Sequence, residues 1–373
     1  MIKKIVFVNK NYWSFYNFRL VFAQKLIKRF KNISVLSLFG GKDLSIKNLK
    51  NIKNFSFPIN QTLYDIKKDI HFIISLRKFI KKENPKVIHF FNPRPMLLGN
   101  LSTLFLKKKI NIYSTVTGLG HFYLSNNYLI KIILFPLFFI AFKKSQVVFF
   151  QNRQDRDYFK DLGLLKNVKT FISFGQGIKI KRKKIKKINY KKIKIGFVAR
   201  LTKEKGFEEY LESVEIFKEK NSEFRKFVEF GFIKNFDKKS IVSVSIKKIK
   251  KKLNKLKIKQ YQYKANSNYL NYFDVIVYPS YREGCSKTLM EACNYGKVII
   301  TTDVPGCNNI IKNNFNGMLA SSKNANSLTS MYEKIFTTKN KIYKMQKNAQ
   351  SFAYKNFDEE KVINSMIDKY KNL

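Results

Sequence analysis

The stretch DVIVYPSYREGCSKTLMEA, residues 274–292, passes from a strand pattern through a short turn into a helix pattern. Residues 274–278 form an apolar run, Pro279 and Ser280 end it, and residues 287–293 have the leucine, methionine and alanine content of a helix. A strand followed directly by a helix is the repeating unit of a parallel sheet covered by helices. This stretch therefore predicts an α/β fold.

Two carboxylates in this stretch, Glu283 and Glu291, indicate a polar ligand. Glu283 lies on the loop at the carboxyl end of the predicted strand, and Glu291 lies about a turn into the predicted helix. Ionised carboxylates only accept hydrogen bonds, so they suit the hydroxyls of a sugar or a ribose and repel phosphate. A phosphate would need backbone N–H groups near the helix start, such as those of residues 284–286. The alternative is a surface helix beside an unrelated loop glutamate.

The pattern of strand followed by helix recurs along the chain in two blocks. Runs that are apolar on both faces predict strands of parallel sheets at 4–9, 33–38, 86–91, 111–118, 146–151 and 168–173, and then at 194–200, 226–232, 274–280 and 297–303. Two helix faces between the later strands are formed by Phe207, Leu211, Val214 and Phe217, and by Ile246, Ile249, Leu253 and Leu256. We therefore expect two doubly wound α/β domains with a cleft between them.

The expected domain boundaries follow from the polar, highly charged run KIKRKKIKKINYKKIK at 179–194. We expect an N-terminal Rossmann-like domain over 1–178, a basic linker over 179–193 and a second Rossmann-like domain over 194–351. The remaining residues, 352–373, are expected to form a C-terminal helix that packs back across the domains.

The composition describes a globular, strongly basic chain. Of its 373 residues 45% are hydrophobic, and 74 Lys and Arg against 25 Asp and Glu give a net charge of +49. The excess is mostly lysine, spread along the chain among asparagine and isoleucine, which favours genomic bias over an anionic membrane surface and disfavours nucleic acid. Three cysteines without paired metal spacing fit a reducing cytoplasm, and they predict no metal site.

The apolar run IILFPLFFIAF, residues 132–142, is too short to span a bilayer and contains Pro136. We expect a buried or interfacial helix, whose flanking Lys131, Lys143 and Lys144 suit lipid headgroups. The first residues lead directly into a strand pattern, so no signal peptide is expected.

A second polar loop, RLTKEKG at 200–206, follows the predicted strand at 194–200. An arginine can fork onto a phosphate and a lysine acts as a mobile point charge, so Arg200 and Lys205 together suit a diphosphate. Open parallel sheets bind ligands at the carboxyl ends of their strands, where this loop and the loop of Glu283 both lie. The alternative is an ordinary solvated loop.

Taken together, GFVARLTKEKG (196–206) and YPSYREGCSKTLMEACNYGKVIITTDVPGC (278–307) resemble the family 4 retaining glycosyltransferases, which have two facing Rossmann-like domains. FYNFR (15–19), TVTGLGHFY (115–123) and FFQN (149–152) are similar to the bacterial branch that adds N-acetylhexosamines to polyprenyl-diphosphate-linked saccharides. The resemblance implies transfer of a hexose or N-acetylhexosamine from a nucleotide sugar, with uridine diphosphate as the nucleotide. The implied acceptor is a polyprenyl-diphosphate-linked or other glycan in surface polysaccharide or glycoprotein glycan assembly. Because a polyprenyl-linked acceptor lies in a bilayer, the resemblance also implies peripheral attachment to the anionic cytoplasmic face of the inner membrane.

The resemblance also implies a role for each matching residue. Glu283 would contact the donor sugar and Glu291 the ribose, while Arg200 and Lys205 would neutralise the leaving diphosphate. The implied catalytic set is thus Arg200, Lys205 and Glu283, and the implied donor-binding set is Gly284, Cys285, Ser286, Lys287, Thr288 and Glu291. Candidate acceptor contacts in the first domain are Arg19, Gly118, Gly120 and His121. No metal or other cofactor is expected.

The chain departs from the family pattern in the first domain, because NKNYWSFYNFR (9–19) has no glycine-rich turn after the first strand. Rival interpretations are a nucleic-acid-binding basic protein, a dinucleotide oxidoreductase, and a nucleotide-sugar epimerase or phosphorylase on a related fold. The chain contains nothing that resembles a nucleic-acid module, and it lacks G-x-G-x-x-G after either first strand. Analysis of the products would separate an epimerase or a phosphorylase from a transferase.

Overall fold

The computed structural model describes residues 3–30, 32–41, 48–59, 65–106, 109–119, 128–181, 183–234, 246–263 and 268–370. The chain divides into two compact units, one formed by residues 1–176 with 360–373 and the other by residues 177–359. Within its described residues each unit is a parallel β-sheet with helices, which confirms the predicted α/β class.

The first unit contains a parallel sheet with the strand order β3-β2-β1-β4-β5-β6-β7. Its strands are β1 (Lys3–Asn11), β2 (Ile33–Gly40), β3 (Ile52–Phe57), β4 (Val87–Phe91), β5 (Asn111–Val116), β6 (Ser145–Phe150) and β7 (Thr170–Ile172). The helices of this unit are α1 (Tyr12–Phe18), α2 (Leu20–Arg29), α3 (Ile66–Glu83), α4 (Pro93–Ser102), α5 (Tyr128–Lys144), α6 (Arg153–Asp161) and, near the end of the chain, α12 (Glu359–Ile367).

Helices cover both faces of this sheet because its strands are apolar on both sides. One face packs against α3, α4, α5 and α6, with Phe72, Met96 and Phe138 among the buried side chains. The other face packs against α1, α2 and α12, and Phe22 and Ile363 lie in that core.

The second unit contains a parallel sheet with the strand order β10-β9-β8-β11-β12-β13. Its strands are β8 (Ile193–Phe197), β9 (Val228–Lys234), β10 (Lys259–Gln262), β11 (Val275–Tyr278), β12 (Val298–Thr302) and β13 (Met318–Ala320). Its helices are α7 (Phe207–Lys220), α8 (Ile246–Lys255), α9 (Lys287–Asn294), α10 (Ala325–Thr337) and α11 (Lys339–Asn356). The four predicted apolar residues of α7 are all buried, as are Leu253 and Leu256 at α8.

The sequence patterns missed three strands, β3, β10 and β13. All three lie at the edge of a sheet, and β10 and β13 are also short, with 4 and 3 residues. An edge strand needs fewer apolar positions, as KQYQ in β10 shows with three exposed residues out of four. The hydrophobic pattern was therefore too weak there to predict a strand.

Within the described residues, the end of the chain contains two helices, whereas the sequence predicted one helix over 352–373. Helix α11 ends at Asn356, and α12 begins at Glu359. The backbone of Ile178 stabilises the break between the two helices. Its N–H donates to Phe357 O at 2.7 Å, and its carbonyl accepts from Glu359 N at 2.9 Å. The helix periodicity alone carries no sign of this bridge.

The apolar run at 132–142 lies in α5, and Pro136 is inside this helix. Phe138 and Phe142 are buried in the core of the first unit, whereas Ile132 and Phe135 are exposed. The helix is therefore buried on one side and solvent-facing on the other. Among the described residues, no helix is both long and apolar enough to cross a membrane.

Candidate active site

Two loops of the second unit meet at the carboxyl edge of its sheet. Gly206, which ends the loop after β8, has a φ of +73°, and a Cβ there would lie 2.2 Å from the Pro279 carbonyl oxygen. Tyr281 N also donates to Glu204 O at 2.9 Å. Only glycine permits this close approach, which places Lys205 beside the loop that follows β11.

Lys205 and Glu283 form an ion pair in which each side chain is only 13% exposed. Oε1 of Glu283 also accepts hydrogen bonds from the hydroxyls of Tyr278 at 2.9 Å and Ser280 at 2.6 Å. Lys205 Nζ lies 3.4 Å from the same Tyr278 hydroxyl. The structure thus brings together two of the three predicted catalytic residues.

The pKa of Glu283 reflects two opposing effects. Burial raises the pKa, whereas the Lys205 charge and the hydrogen bonds from Lys205, Ser280 and Tyr278 lower it, and the net result lies below the ordinary value. Glu283 is therefore an ionised hydrogen-bond acceptor near neutral pH. A general acid would need a raised pKa instead.

A third loop, after β12, fixes the backbone of Glu283. Its N–H donates to Pro305 O at 3.0 Å. Gly306 has a φ of +80°, and a Cβ there would lie 2.3 Å from the Glu283 carbonyl oxygen. The glycine of the TTDVPGC segment is thus required by a direct contact with the candidate site.

The N-terminus of α9 follows directly after Glu283. Ser286 is the N-cap, and its Oγ accepts a hydrogen bond from Leu289 N at 3.3 Å. Gly284 is buried and Cys285 is partly buried. The free N–H groups at the start of a helix and its positive end favour an anion. Burial and the Glu283 charge raise the pKa of the Cys285 thiol, so it is not a thiolate nucleophile near neutral pH.

Glu291 lies farther along α9 and has a partner that the sequence did not indicate. The Tyr269 hydroxyl donates to Oε2 of Glu291 at 2.8 Å, and Lys287 Nζ lies 4.0 Å from Oε1. Burial and the Glu291 charge raise the pKa of Tyr269 well above its ordinary value, so Tyr269 stays a donor. Thr288 is buried on the same helix.

The aromatic side chain of Tyr263 continues the pair of Tyr269 and Glu291 toward solvent. The ring of Tyr263 lies 5.2 Å from the ring of Tyr269, with 31° between the planes. Tyr263 is 43% exposed. The partly exposed ring offers a flat apolar surface next to the carboxylate of Glu291.

Arg200, the remaining predicted catalytic residue, lies three positions beyond β8 and is exposed. Its carbonyl accepts a hydrogen bond from Thr202 N at 2.8 Å, which starts the turn toward Lys205. Among the ion pairs of the described residues, none involves Arg200. Its side chain can therefore reach for a ligand from the surface.

The first unit contains the predicted acceptor residues. Arg19 is buried, its guanidinium lies 4.5 Å from the centre of the Phe91 ring, and Nη1 donates to Phe18 O at 2.9 Å. Burial lowers the pKa of Arg19 to about 10. Gly118 follows β5 with a φ of +115°. Gly120 and His121 lie outside the described residues.

Asn9 lies near the carboxyl end of β1, and the sequence patterns did not single it out. It is fully buried, and neither its amide nitrogen nor its amide oxygen has a hydrogen-bond partner. Buried amides are usually paired, so this one marks the strand end as unusual. The feature of the sequence that could have pointed to Asn9 is a polar residue at the end of an apolar strand run.

Within the described part of the chain, no three His, Cys, Asp or Glu side chains come together as a metal cage. The site as seen consists of one ion pair, one helix N-terminus and one tyrosine-supported carboxylate. Such a set can accept hydrogen bonds from hydroxyls and can offset negative charge. It matches a molecule with both sugar and phosphate parts.

Two known protein families match this chain, and the matched residues include most of both units. Residues 178–352 match the family described as Glycosyl transferases group 1, and residues 4–152 match the one described as Glycosyl transferase 4-like. The candidate site of Lys205, Glu283 and Glu291 lies inside the first of these matches.

Two curated relatives are bacterial glycosyltransferases. The chain is 25% identical over 313 residues to N,N'-diacetylbacillosaminyl-diphospho-undecaprenol alpha-1,3-N-acetylgalactosaminyltransferase of Campylobacter jejuni, with 79% of each chain covered. It is 23% identical over 310 residues to the capsular polysaccharide biosynthesis glycosyltransferase CapM of Staphylococcus aureus, with 77% of this chain and 78% of the relative covered. The predicted resemblance is confirmed.

Solved structures share the fold at lower identity. Sucrose-phosphate synthase from Thermosynechococcus elongatus has a TM-score of 0.79 and 14% identity, and the match covers 99% of this chain and 98% of that chain. HepE from Anabaena, in complex with UDP and glucose, has a TM-score of 0.73 and 13% identity over 100% of both chains. At such identities the likeness shows the fold, and it confirms the predicted pair of Rossmann-like domains.

Proposed function

Because the chain belongs to glycosyltransferase family 4, we propose that it transfers a hexose or N-acetylhexosamine, with retention, from a uridine-diphosphate sugar to a glycan carried on polyprenyl diphosphate. The observation that carries the donor half of this proposal is the pairing of Lys205 with Glu283 at the N-terminus of α9. Cationic, anionic and N–H groups lie together there, as a nucleotide sugar requires.

The donor is held along α9. Glu291 accepts hydrogen bonds from the ribose hydroxyls, and Tyr269 fixes the direction of its carboxylate through the 2.8 Å hydrogen bond. The N–H groups of residues 284–286 bind phosphate oxygens and the sugar, with Lys287 and Thr288 continuing the donor-binding segment. Glu283 accepts a hydrogen bond from a sugar hydroxyl.

Transfer breaks the bond between the anomeric carbon and the diphosphate oxygen and forms a bond from that carbon to the acceptor oxygen. Negative charge grows on the leaving diphosphate, and Arg200, Lys205 and the helix N–H groups offset it. The acceptor hydroxyl loses its proton to a diphosphate oxygen on the same face of the sugar. Glu283 does not act as the nucleophile, since its ionised carboxylate is engaged by Lys205, Tyr278 and Ser280.

The acceptor half of the proposal rests on the relatives. The name of the Campylobacter jejuni relative places its acceptor on diphospho-undecaprenol. By analogy the first unit of this chain binds a lipid-linked glycan, with Arg19, Gly118, Gly120 and His121 as the candidate contacts. An acceptor anchored in a bilayer requires the enzyme to work at the cytoplasmic leaflet, whose anionic lipids attract its lysines.

A screen of nucleotide sugars against diphosphate-linked glycan acceptors, with mass analysis of the products, tests this function. We expect one UDP sugar to extend a polyprenyl-diphosphate-linked acceptor by one residue with retained configuration. An epimerised donor or a sugar phosphate as the main product would contradict the proposal.

Metal independence belongs to the same proposal. The diphosphate charge is assigned to Arg200, Lys205 and the N-terminus of α9, so no divalent ion is needed to offset it. Turnover should be unchanged after treatment with a chelator. A loss of turnover that Mg²⁺ or Mn²⁺ restores would overturn this part.

A further inference from the structure

The first unit contains a buried cation that its surroundings do not neutralise. Arg19 lies at the junction of α1 and α2, and it is only 6% exposed. Its Nη1 donates to Phe18 O at 2.9 Å, and the guanidinium lies 4.5 Å from the centre of the Phe91 ring. Its other N–H groups have no acceptor among the described residues, and none of the ion pairs there involves Arg19.

The titratable groups around Arg19 supply no negative charge. Both ring nitrogens of the buried His89 are engaged, Nδ1 by the Tyr370 hydroxyl and Nε2 by the Thr115 hydroxyl at 2.7 Å. Burial and the Arg19 charge lower the pKa of His89 well below its ordinary value, and burial raises the pKa of Tyr370 well above its ordinary value. Both side chains are therefore neutral near neutral pH.

The elements packed on this side of the sheet do not offer a counterion either. Strand β1 and helices α1 and α2 contain no acidic residue. Near the end of the chain, Glu360 pairs with Lys25 at 2.9 Å and Asp368 with Arg29 at 2.7 Å. A buried charge without a counterion disfavours the folded state, and an anion bound at Arg19 would remove that penalty.

Arg19 also lies where open parallel sheets bind their ligands. In the order β3-β2-β1-β4-β5 the chain moves to one side after β1 and resumes on the other side with β4, so the order reverses between these two strands. Phe91 is the last residue of β4, which places the guanidinium above its ring at the carboxyl end of this strand. The crevice outside the carboxyl ends at such a reversal is the usual ligand site.

A second polar group near this reversal lacks a partner. Asn9 lies near the carboxyl end of β1, is fully buried, and has no hydrogen-bond partner for either amide atom. Because side chains alternate along a strand, Asn9 faces the same side of the sheet as Phe7, whose ring lies 5.1 Å from that of Phe91. A guanidinium and an unpaired amide on one side of two adjacent strand ends suit an oxyanion, since both donate to its oxygens.

We propose that Arg19 binds the diphosphate of the lipid-linked acceptor, with the Asn9 amide as a further donor at the same site. The planar guanidinium forks onto two oxygens of one phosphate group, which gives direction as well as charge. The inference rests on the proposed function, because the acceptor there carries a diphosphate. It assigns to Arg19 a ligand chemistry, a phosphate oxyanion, that free diphosphate also offers.

Titration of the full chain with inorganic diphosphate tests this site. The protein is first saturated with UDP, and the salt concentration is high enough to screen the surface lysines. One binding event should remain, and Arg19→Met should weaken it about tenfold or more. Arg29→Met, which replaces a half-exposed arginine of α2, is the matched control and should bind as the unchanged protein does. No binding to the unchanged protein, or equal binding by Arg19→Met, would overturn the proposal.

Unfolding separates a ligand site from a structural arginine. Methionine replaces the apolar stem of Arg19 without its charge, so Arg19→Met should leave the free protein at least as stable as before. Asn9→Leu, which removes the unpaired amide, should do the same. Diphosphate should raise the midpoint of thermal unfolding of the unchanged protein but not that of Arg19→Met. Arg19→Lys keeps the charge without the fork, so it should remain folded and bind diphosphate several-fold more weakly. A large loss of stability in Arg19→Met together with normal diphosphate binding by Arg19→Lys would overturn the proposal.

Transfer kinetics separate the diphosphate of the acceptor from free diphosphate. Arg19→Met and Asn9→Leu should raise KM for a diphosphate-linked acceptor, about tenfold or more for Arg19→Met, and leave the dissociation constant for UDP unchanged. With the same glycan on an apolar group that lacks the diphosphate, the variants should be no slower than the unchanged protein. Equal losses on both acceptors would overturn the inference. If the unchanged protein transferred sugar to neither acceptor, the proposed function itself would fail, and the diphosphate titration would still decide whether Arg19 binds an anion.

Discussion

The Tyr269 hydroxyl donates a 2.8 Å hydrogen bond to Oε2 of Glu291, twenty-two residues farther along the chain. Tyr269 is buried, and its pKa is raised well above the ordinary value by burial and by the Glu291 charge. The carboxylate thus has one oxygen fixed by a permanent donor, and its other oxygen lies 4.0 Å from Lys287. This arrangement presents Glu291 in one orientation to a ligand.

Tyr269→Phe should therefore weaken donor binding while leaving the protein folded. A hydrogen bond to a charged group contributes about 1.5–3 kcal/mol. Because the Glu291 carboxylate would be less well oriented without it, the dissociation constant for UDP should rise about tenfold. KM for the donor should rise with little change in kcat, because ribose contacts are the same in the ground state and the transition state. Isothermal titration with UDP and steady-state kinetics measure both effects.

Tyr343→Phe, on α11, serves as the control because it also removes one tyrosine hydroxyl from the second unit. Glu291→Ala should weaken UDP binding more than Tyr269→Phe does. If Tyr269→Phe instead lowered kcat and left UDP binding intact, Glu291 would not be the ribose ligand.

The pH dependence of the free energy of unfolding should show that Glu283 is ionised in the folded protein. Its folded-state pKa lies below the ordinary value of 4.5, because the Lys205 charge and three hydrogen bonds outweigh burial. The ionised carboxylate therefore stabilises the folded protein above pH 4.5, and this contribution is lost as the pH falls through the lowered folded-state pKa. Denaturant unfolding from neutral pH downward should show a steeper loss of stability for the unchanged protein than for Glu283→Gln.

The difference between the two curves isolates Glu283 from the other carboxylates with lowered pKa, such as Asp65 and Glu215. Glu360→Gln, which replaces a 71% exposed carboxylate, should leave the curve unchanged. Parallel curves for the unchanged protein and Glu283→Gln would contradict the assignment of an ionised, stabilised carboxylate.

The meeting of Lys205 with Glu283 could only partly be predicted from the sequence. Strand and helix patterns placed each residue on a loop at a strand's carboxyl end, because apolar runs and the residues that end them are local signals. The contact spans seventy-eight residues and depends on how closely Gly206 approaches Pro279. That distance is set by tertiary packing, for which a single sequence contains no measure.

Tyr269 shows a different limit. It lies in a 3₁₀ turn, Asn268–Tyr272, between an edge strand and β11, where no strong hydrophobic period exists. A tyrosine at this position is equally compatible with a core residue, and Tyr269 is indeed buried. Only its hydroxyl, aimed at Glu291, separates the functional interpretation from the structural one.

The Lys205–Glu283 pair should affect stability and transfer in separable ways. Lys205→Met leaves the Glu283 carboxylate without its cation, and breaking a buried pair costs about 3–5 kcal/mol. We expect the lower end because each side chain is still 13% exposed. The double variant Lys205→Met/Glu283→Gln removes both charges and should recover most of the lost stability, while transfer stays about a hundredfold or more below normal.

Thermal or denaturant unfolding and turnover with a UDP sugar give the two readouts of this cycle. The exposed pair Lys25 and Glu360 is the comparison, since removing Lys25 should cost no more than about 1 kcal/mol. Recovery of turnover together with stability in the double variant would show that the pair is structural only.

Gly306 offers a test of how tightly the loop of Glu283 must be held. Gly306→Ala places a Cβ 2.3 Å from the Glu283 carbonyl oxygen and forces alanine to a φ of +80°. The left-handed backbone alone costs about 1–2 kcal/mol, and the contact forces the Glu283 loop to move.

Gly163→Ala is the matched control, because its φ is +73° but nothing lies within 4 Å of the added Cβ. Both variants should lose stability, but only Gly306→Ala should also lose transfer, by roughly a hundredfold, since a misplacement of about 1 Å at a reacting centre has that effect. Unfolding curves and single-turnover rates measured side by side check this, and equal turnover in the two variants would rule out a role for the Glu283 loop in the transfer step.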